Sequence, residues 1–292
     1  MTPATQLKRQ HLMLAIERLL APHECVKGVV AVGSVASNTA RPDSDIDAMV
    51  FMSPIDPYIV PAEAMWRPDD DSFHSIFATD AGEEAIPLDF MLRDLEEWQN
   101  AEGLWTDAQK AGLAHAWVAY DRDGHVKKLI KEKTAYPPSV RVQKLDIAIT
   151  VLDQILAEGV PERVWEHLGA TNAIDRLVSA GSALVDLVFA VNSAWRPWPE
   201  RQMAFLLTLP TLPRDYESKF LSTVTGLADE DGYFKRVTAL RQLFEDVLDE
   251  LRREGAYGKN PASEAFMRIH DEPGRSWNLV EWNRRRKYPA KP

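Results

Sequence analysis

The stretch VVAVGSVASNTARPDSDIDAMVFM, Val29 to Met52, decides the fold of this chain. It opens and closes with apolar runs, VVAV and AMVFM, of the kind that form buried strands. Between them lie a Gly-Ser pair and a segment in which Asp43, Asp45 and Asp47 occupy every second position. Residues two apart in a strand point to the same face, so Asp45 and Asp47 are expected to stand side by side. Such carboxylates repel each other unless a proton or a cation is shared between them.

The composition is typical of a soluble globular protein. The chain has 292 residues, of which 45% are hydrophobic and 27% charged, enough for one large or two ordinary domains. Its longest apolar stretch, 173–191, carries Asp175, Arg176 and Asp186, which makes it a poor membrane span. The N-terminus does not resemble a signal peptide, and the single cysteine, Cys25, excludes an internal disulfide. These features predict a cytoplasmic protein with no membrane partner.

The charge balance indicates which partners the chain would bind. The formal net charge is −10, from 34 basic and 44 acidic residues, so long nucleic acid is not expected as a partner. A cationic or neutral small molecule fits this balance better. The basic C-terminal sequence NRRRKYPAKP is interpreted as a solvated tail.

The pattern of apolar residues changes once along the chain. Up to about Asp123 it mixes a helix with short β-rich runs, which are CVKGVVAV, DIDAMVFM, AIPLDFML and HAWVAY. After Gly124 the apolar residues recur at helical spacing, and the last long helix ends in RREG, a typical C-terminus. The predicted fold class is therefore α+β, a mixed sheet with flanking helices followed by a helical bundle. The predicted domains are 1–124, 125–255 and a loop-rich tail, 256–292.

The central motif combines a phosphate-binding turn with paired acids. Gly33 permits close backbone approach, and Ser34 with the neighbouring amides offers hydrogen-bond donors to an anion such as phosphate. Asp45 and Asp47 offer the hard oxygen ligands that Mg²⁺ prefers. A phosphate cradle beside a carboxylate pair is typical of a nucleoside triphosphate site, in which a metal joins protein and substrate oxygens.

These residues resemble a known family. Gly33-Ser34 followed by Asp45-Ile46-Asp47 is similar to the signature of the nucleotidyltransferase superfamily typified by DNA polymerase β. The resemblance is closer to its bacterial branch, which includes aminoglycoside and lincosamide nucleotidyltransferases. It implies that Gly33 and Ser34 hold the triphosphate and that two Mg²⁺ ions, with Mn²⁺ as an alternative, are bound by Asp45 and Asp47. It also implies a third carboxylate that completes the metal site or acts as base, for which Asp89 in AIPLDFML is the candidate.

Some positions depart from the family pattern or have simpler explanations. Val35 and Ser37-Asn38 stand where close relatives often have Arg and Arg-Gly, so the contacts that bind the triphosphate would differ from those of these relatives. Asp45 and Asp47 could belong to a solvated turn, and Asp89 could be an edge-strand acid paired with Arg93. Asp43, after a proline, is expected to be a turn residue, and the loop residue His74 is left out of the site.

The helical part is expected to shape an acceptor pocket. One face of the helix around 162–195 carries small or acidic residues at intervals of three or four, which are Asn172, Asp175, Ser179, Ser182 and Asp186. This face could bind an amine-bearing acceptor, or it could be a polar seam open to water. Trp195, Arg196 and Trp198 could stack on a base or sugar and pair with phosphate, or could fill a corner between helices.

Three classes of function are compatible with these patterns. The leading hypothesis is an enzyme that moves a nucleoside monophosphate from an NTP, with ATP expected, to a hydroxyl of a small molecule. The second is a nucleotidyltransferase that adenylylates a protein, as an antitoxin or regulator does. The third is a nucleotide-binding module without catalysis, against which the intact set of three aspartates argues. An RNA-directed polymerase of the same superfamily ranks below these because the chain is acidic.

Overall fold

The chain folds into two compact units. The computed structural model describes residues 1–77, 82, 84–100 and 103–287, and the units are Met1–Ala135 and Tyr136–Pro292. Among these described residues, no helix is both long and apolar enough to cross a membrane. Each unit has its own apolar core, and each is described separately below.

The first unit is built from short helices and six strands. Its helices are α1 (Pro3–Ala15, continued by a π-helical turn at Ile16–Leu20), α2 (Gly33–Ala36), α3 (Leu95–Gln99), α4 (Asp107–Ala114) and α5 (His125–Lys133). Its strands are β1 (Val26–Ala31), β2 (Ile46–Met52), β3 (Ala64–Arg67), β4 (Ser72–Ser75), β5 (Ile86–Asp94) and β6 (Trp117–Asp121).

The strands form one mixed sheet in the order β4-β3-β5-β2-β1-β6. The central strands β2 and β5 are parallel, and all the other neighbours are antiparallel. The four apolar runs of the sequence correspond to β1, β2, β5 and β6. The hairpin of β3 and β4 was not predicted, because four-residue strands show too little alternation to stand out from their polar surroundings.

Apolar side chains are buried on both faces of the sheet. Ile46, Ala48 and Val50 of β2 belong to the same cluster as Leu12 of α1. Phe51 belongs to a second cluster, which includes Trp105. Because successive strand residues alternate between faces, odd-numbered residues of β2 lie on the face opposite α1.

Helix α1 is fixed at its start to the segment that follows α2. Pro3 occupies the first turn, and the Thr2 hydroxyl accepts a hydrogen bond from the Thr5 amide. The fully buried Thr5 hydroxyl in turn accepts a hydrogen bond from the Ala40 amide at 3.2 Å. The first turns of α1 therefore lie against residues just beyond the Gly-Ser turn.

The second unit is helical in the part that the structure describes. Its helices are α6 (Pro138–Leu156), α7 (Val160–Val191), α8 (Pro199–Leu206), α9 (Tyr216–Val224), α10 (Glu230–Glu254), α11 (Pro261–Ile269) and α12 (Leu279–Lys287). Helix α7 is interrupted at Gly169, whose φ of 80° and ψ of 168° are not helical. As predicted, α10 ends at a glycine, Gly255, with a φ of +78°.

An ion pair between a buried acid and a partly exposed arginine fastens α11 to α6. Asp146 of α6 is 3% exposed, and its two carboxylate oxygens accept hydrogen bonds from the Arg268 guanidinium, each at 2.8 Å. The Tyr257 hydroxyl donates a third hydrogen bond to Asp146 at 2.6 Å. A carboxylate this buried needs such partners, because removing a charge from water costs several kcal/mol unless it is paired.

The α+β fold class is confirmed by the mixed sheet and the helical region that follows it. The segment from 256 onward was expected to be loop-rich, but it contains α11 and α12. The sequence signal was missed because each of these helices has only nine residues, close to the lower limit at which periodicity can be read.

Candidate active site

The Gly-Ser turn joins β1 to the short helix α2 beside the start of β2. The Val32 amide donates a hydrogen bond to the Asp47 carbonyl at 3.0 Å, which extends the pairing of β1 with β2 up to the turn. Gly33 has a φ of +62°, a left-handed conformation that other residues adopt with strain. The local sequence therefore needs glycine at this position to leave the strand and begin α2.

Gly33 also lies directly against an acidic side chain. A Cβ atom added to Gly33 would overlap Oδ2 of Asp47. The turn and the Asp47 carboxylate are thus in immediate proximity, as the motif predicted, and that carboxylate occupies the space that a Cβ would take.

The Ser34 hydroxyl is buried within the turn. Among the described residues, its Oγ has no hydrogen-bond partner. A buried hydroxyl without a partner costs about 1–3 kcal/mol, so a ligand that accepts its hydrogen bond would recover free energy.

Two of the predicted acids face each other on the parallel strands. Asp47 of β2 is the register partner of Asp89 of β5, and both side chains are half-buried. Neighbouring strands are about 4.8 Å apart, and paired residues point to the same face. The tertiary structure therefore brings together two acids that are separated by the β3–β4 hairpin in the sequence.

The other two acids of the motif lie before β2. Asp45 is exposed and precedes the regular strand, so the register that fixes Asp47 opposite Asp89 does not extend to it. Asp43 forms an exposed ion pair with Arg41 at 3.1 Å, as expected of a turn residue. Strand pairing therefore fixes Asp47 but not Asp45.

Asp89 has an unusual electrostatic environment. Burial raises the pKa of its carboxyl, the acids Glu63 and Asp45 raise it further, and Arg93 acts in the opposite direction. The alternative of an Asp89–Arg93 pair is not what the structure has, because the Arg93 guanidinium lies over the Trp98 ring, 5.7 Å from its centroid. Residues four apart on a strand are roughly 13 Å apart, too far for a direct pair.

The chemistry of these side chains suits a divalent cation. Asp47 and Asp89 present hard oxygen donors from neighbouring strands, and Mg²⁺ is commonly held by one or two carboxylates together with substrate phosphates. Within the described ranges, however, no group of three or more His, Cys, Asp or Glu side chains is close enough to hold a metal ion. Two carboxylates thus fit the ion, and the participation of Asp45 stays a prediction.

Asp89→Asn is expected to stabilise the protein in metal-free buffer at neutral pH. When folding raises the pKa of a carboxyl, ionising it costs folding free energy at pH values above that pKa. The gain in Tm should be largest there and should shrink as the pH falls and Asp89 becomes protonated in both states. Melting curves with EDTA from about pH 4 to about pH 8 would measure it.

The exposed loop residue Asp123 supplies the control for this experiment. Asp123→Asn removes the same charge and should leave Tm nearly unchanged throughout the pH range. Equal Tm values for Asp89→Asn and the wild type at the upper end of the range would contradict the assigned environment of Asp89.

Three charged residues of the first unit were missed in the sequence. Lys8 and Arg9 of α1 and the exposed Glu63 before β3 all lie near the motif. Arg9 donates a hydrogen bond to the Val35 carbonyl at 3.2 Å, so it holds the C-terminal end of α2. The periodicity of α1 places Lys8 on its buried face with Leu12, which was the one available signal.

The residues assigned to an acceptor pocket lie in the second unit. Asp175, Ser179, Ser182 and Asp186 are all exposed on α7. Asp186 forms an ion pair with Arg196 at 2.9 Å, and Arg196 also donates a hydrogen bond to the Ser182 hydroxyl at 3.0 Å. Two of the predicted acceptor residues are therefore joined to each other.

The two tryptophans after α7 have different surroundings. Trp195 is 7% exposed, and its ring packs against Tyr136 with centroids 4.4 Å apart. This packing agrees with the alternative that it fills a corner between helices, whereas Trp198 is 57% exposed. The roles of Asp175, Asp186, Trp195 and Arg196 toward an acceptor stay predictions.

Comparison with known proteins connects the first unit to one family. Residues 12–97 match the family model described as "Nucleotidyltransferase domain", and this range includes the Gly-Ser turn and all three aspartates. The match supports a transferase activity with a nucleotide substrate in general. A search of curated proteins finds no match.

One solved structure with a similar description also matches the chain. It is a nucleotidyltransferase-like protein from Exiguobacterium sibiricum 255-15, with 13% identity and a TM-score of 0.42, over 92% of this chain and 83% of that one. A likeness this distant supports no conclusion about fold or function.

Proposed function

We propose that this protein is a nucleotidyltransferase that moves a nucleoside monophosphate from an NTP, with ATP expected, to a hydroxyl of a small-molecule acceptor. The observation that supports this most is the register pairing of Asp47 with Asp89, with Gly33 directly against Asp47. The family match over 12–97 agrees with it at the general level of the domain.

Each residue of the site has a proposed role. Gly33 lets the triphosphate approach the backbone, and Ser34 donates a hydrogen bond to it. Asp45 and Asp47 would hold Mg²⁺, with Mn²⁺ as the alternative, and Asp89 would either complete the metal site or act as the base. When bound, the ion supplies positive charge against the phosphate oxygens during transfer.

The proposed reaction exchanges one phosphorus–oxygen bond for another. The acceptor oxygen forms a bond to the α-phosphorus while the bond to the oxygen that bridges the α- and β-phosphates breaks, and pyrophosphate leaves. Asp89 would take the hydroxyl proton, because a carboxylate with a raised pKa is a stronger base.

Gly33→Ala is expected to lower NTP affinity more than Ser34→Ala does. The added methyl strains a backbone with a φ of +62° and overlaps the Asp47 carboxylate. Loss of the single Ser34 donor should cost about 1 kcal/mol, or roughly five-fold in affinity. Titration calorimetry with a non-hydrolysable NTP would measure both.

The control for the turn is Gly82, which also has a positive φ but, among the described residues, nothing within 4 Å of an added Cβ. Gly82→Ala adds similar backbone strain away from the site and should leave NTP affinity unchanged. If Gly33→Ala and Ser34→Ala both bound NTP as the wild type does, the nucleotide would have to bind elsewhere.

An amine-bearing acceptor, such as an aminoglycoside-like compound, is the proposed second substrate. Among the described residues, Asp175 on the exposed face of α7 forms no ion pair, whereas Asp186 on the same face is paired with Arg196. Both carboxylates are exposed in the free protein, so an amine would form a charge-assisted hydrogen bond worth about 1.5–3 kcal/mol only where the bound acceptor itself shields them from water.

Asp175→Asn combined with Asp186→Asn is expected to raise the acceptor KM about ten-fold or more with no change in NTP affinity. Initial-rate kinetics with each substrate varied in turn would separate the two effects. Glu166→Gln, at an exposed acid earlier in the same helix, is the control. An unchanged acceptor KM in the double variant would remove the amine-recognition role from this stripe.

A protein acceptor is the second candidate. Leu221 and Val224 lie three residues apart on α9, so they share a face, and they are 53% and 57% exposed. Exposed apolar side chains on one helix face are a feature of protein-binding surfaces. A protein substrate would then replace the small molecule without any change in the chemistry of transfer.

A pyrophosphate-release assay would test the proposed function. Each NTP is combined with Mg²⁺ and with pools of aminoglycosides, lincosamides, other metabolites or candidate proteins. Pyrophosphate release that requires both Mg²⁺ and one pool would support the proposal and distinguish the two kinds of acceptor. Binding of NTP with no release in any pool would favour a nucleotide-binding module, and no NTP binding would reject the proposal.

A further inference from the structure

Arg9 of α1 joins that helix to the short helix α2. Its Nη2 atom donates a hydrogen bond to the Val35 carbonyl at 3.2 Å and a weaker one to the Ala36 carbonyl at 3.5 Å. These carbonyls are at the C-terminal end of α2, where a helix has acceptors without donors of its own. A positive charge at this end also interacts favourably with the helix dipole. Arg9 therefore supplies donors and charge that α2 itself lacks.

The Arg9 side chain is fixed by a second contact. Its guanidinium carbon lies 4.6 Å from the centroid of the Trp117 ring in β6, within the range of a cation–π interaction. Its Nε atom is buried and, among the described residues, has no hydrogen-bond partner. The guanidinium is thus in contact with both β6 and α2, and the acceptors that it meets there are backbone carbonyls.

Helix α2 depends on support from neighbouring elements. It has only four residues, and a helix of that length is not stable by its own hydrogen bonds. The fully buried Val35 side chain anchors it in the core, and the Ser37 amide donates to the Gly33 carbonyl at 3.1 Å. The hydrogen bonds from Arg9 add a fixed point at the end of α2 that faces away from the Gly-Ser turn.

The residues assigned to phosphate binding belong to the same short helix. Gly33 and Ser34 are its first two residues, and Val35 and Ala36, which accept from Arg9, are its last two. With a rise of about 1.5 Å per residue, the two halves are only about 3 Å apart along the helix axis. A tilt of α2 would therefore move the Ser34 hydroxyl together with the carbonyls that Arg9 holds. Binding sites need supporting contacts of this kind to keep their donors in place.

The segment after the Gly-Ser turn has no cation that could replace Arg9. The sequence from Gly33 to Ala40 contains no basic residue, and the next one, Arg41, is exposed and paired with Asp43. A guanidinium that holds α2 must therefore come from another element, and α1 provides it.

We propose that Arg9 is a positioning residue for nucleotide binding, which holds α2 in the orientation in which Gly33 and Ser34 meet the phosphates. Arg9 does not touch the nucleotide in this proposal. Helix α1 packs on the sheet face opposite Asp47, so Arg9 acts through the backbone of α2 and not on the acids. The proposal rests on the nucleotidyltransferase function proposed above and adds a supporting residue from a distant part of the chain.

The test measures nucleotide affinity and the local stability of α2 in the same variants. Titration calorimetry with Mg²⁺ and a non-hydrolysable ATP analogue gives the affinity. Amide hydrogen exchange, followed by mass spectrometry, gives the local opening of residues 33–37, with β5 as the internal reference. The variants are Arg9→Met, which removes the donors, and Arg9→Lys, which keeps the charge.

Arg18→Met is the matched control. Arg18 lies in the π-helical turn that continues α1, and it also donates a hydrogen bond to a backbone carbonyl, that of Pro68. Its loss removes the same kind of contact from the same helical segment but not from α2. Nucleotide affinity and exchange of residues 33–37 should therefore match the wild type in this variant.

Arg9→Met should weaken binding of the ATP analogue about 5- to 10-fold and should speed exchange of residues 33–37 about as much or more. Exchange in β5 should not change, and Tm should fall by no more than about 3 °C. Arg9→Lys, which has fewer donors to share between two carbonyls, should lose about two- to three-fold in affinity. This variant decides the question if Arg9→Met does not fold.

Two results would overturn the proposal. Faster exchange in β5 and α2 alike, with a large fall in Tm, would show that Arg9 has a purely structural role. Faster exchange in α2 with unchanged affinity for the ATP analogue would show that nucleotide binding does not depend on how α2 is held.

The outcome also separates this proposal from the proposed function. If the wild type binds the ATP analogue and Arg9→Met binds it equally well, the role of Arg9 is rejected and the proposed function stands. If the wild type binds no NTP analogue, with ATP and GTP analogues both tested, the proposed function is rejected and the role of Arg9 in nucleotide binding with it.

Discussion

Asp47→Asn is expected to lower nucleotidyl transfer about 1,000-fold or more, which corresponds to about 4 kcal/mol of transition-state stabilisation. Asp47 is half-buried, touches the Gly-Ser turn and faces Asp89 across parallel strands. Asparagine keeps the size of the side chain but removes the charge that would hold a divalent cation. The pyrophosphate-release assay measures the loss once an acceptor is identified.

Asp43→Asn is the matched control for this variant. It makes the same chemical change four residues earlier in the chain, at an exposed turn residue paired with Arg41. Its activity should stay within about two-fold of the wild type, because surface ion pairs contribute little. Near-normal turnover in Asp47→Asn, under conditions where the wild type depends on Mg²⁺, would reject the metal-binding role.

Arg268→Met is expected to destabilise the protein by about 3 kcal/mol, the largest stability effect predicted here. It leaves the buried Asp146 carboxylate with only the Tyr257 hydroxyl as a donor. The side chain of Asp146 is 5% exposed and that of Arg268 is 43% exposed, so water can replace the lost guanidinium only in part. Urea denaturation followed by circular dichroism would give the free energy of unfolding.

The double variant Asp146→Leu/Arg268→Met separates charge burial from packing. It removes both charges, so much of the lost stability should return if the uncompensated carboxylate is the cause. Arg253→Met is the control, because its ion pair with Glu250 joins neighbouring turns of one helix and its side chain is 69% exposed. A loss below about 0.5 kcal/mol in Arg268→Met would contradict the proposed role of the pair.

The elements that the sequence predicted are those with a strong local pattern. The apolar runs became β1, β2, β5 and β6, and the long periodic segments became α6, α7 and α10. Burial of an alternating or helical apolar pattern favours one conformation wherever the chain folds, so such patterns can be read locally. The hairpin β3–β4 and the nine-residue helices α11 and α12 are too short for this, and tertiary packing decides them.

The residues of the candidate site also differ in how far the sequence alone could predict them. Gly33 and Ser34, with Asp45 and Asp47, are close in the sequence, and their spacing alone pointed to a phosphate turn beside acids. The partner of Asp47 could be proposed only by resemblance, because the register between β2 and β5 depends on a crossover of more than thirty residues. The sequence around Lys8 matches no motif that would have marked it as a site residue.

The sequence by itself therefore determined the strand–turn–strand unit, the α+β class and the residue types able to bind phosphate and a divalent cation. Only the tertiary structure decided that Asp47 faces Asp89, that Asp45 lies outside the paired strand and that Lys8 of α1 is largely buried. The physical reason is the distance along the chain over which each kind of interaction acts. Propensity and periodicity act between residues a few positions apart, whereas strand register and helix docking are set by packing between distant segments.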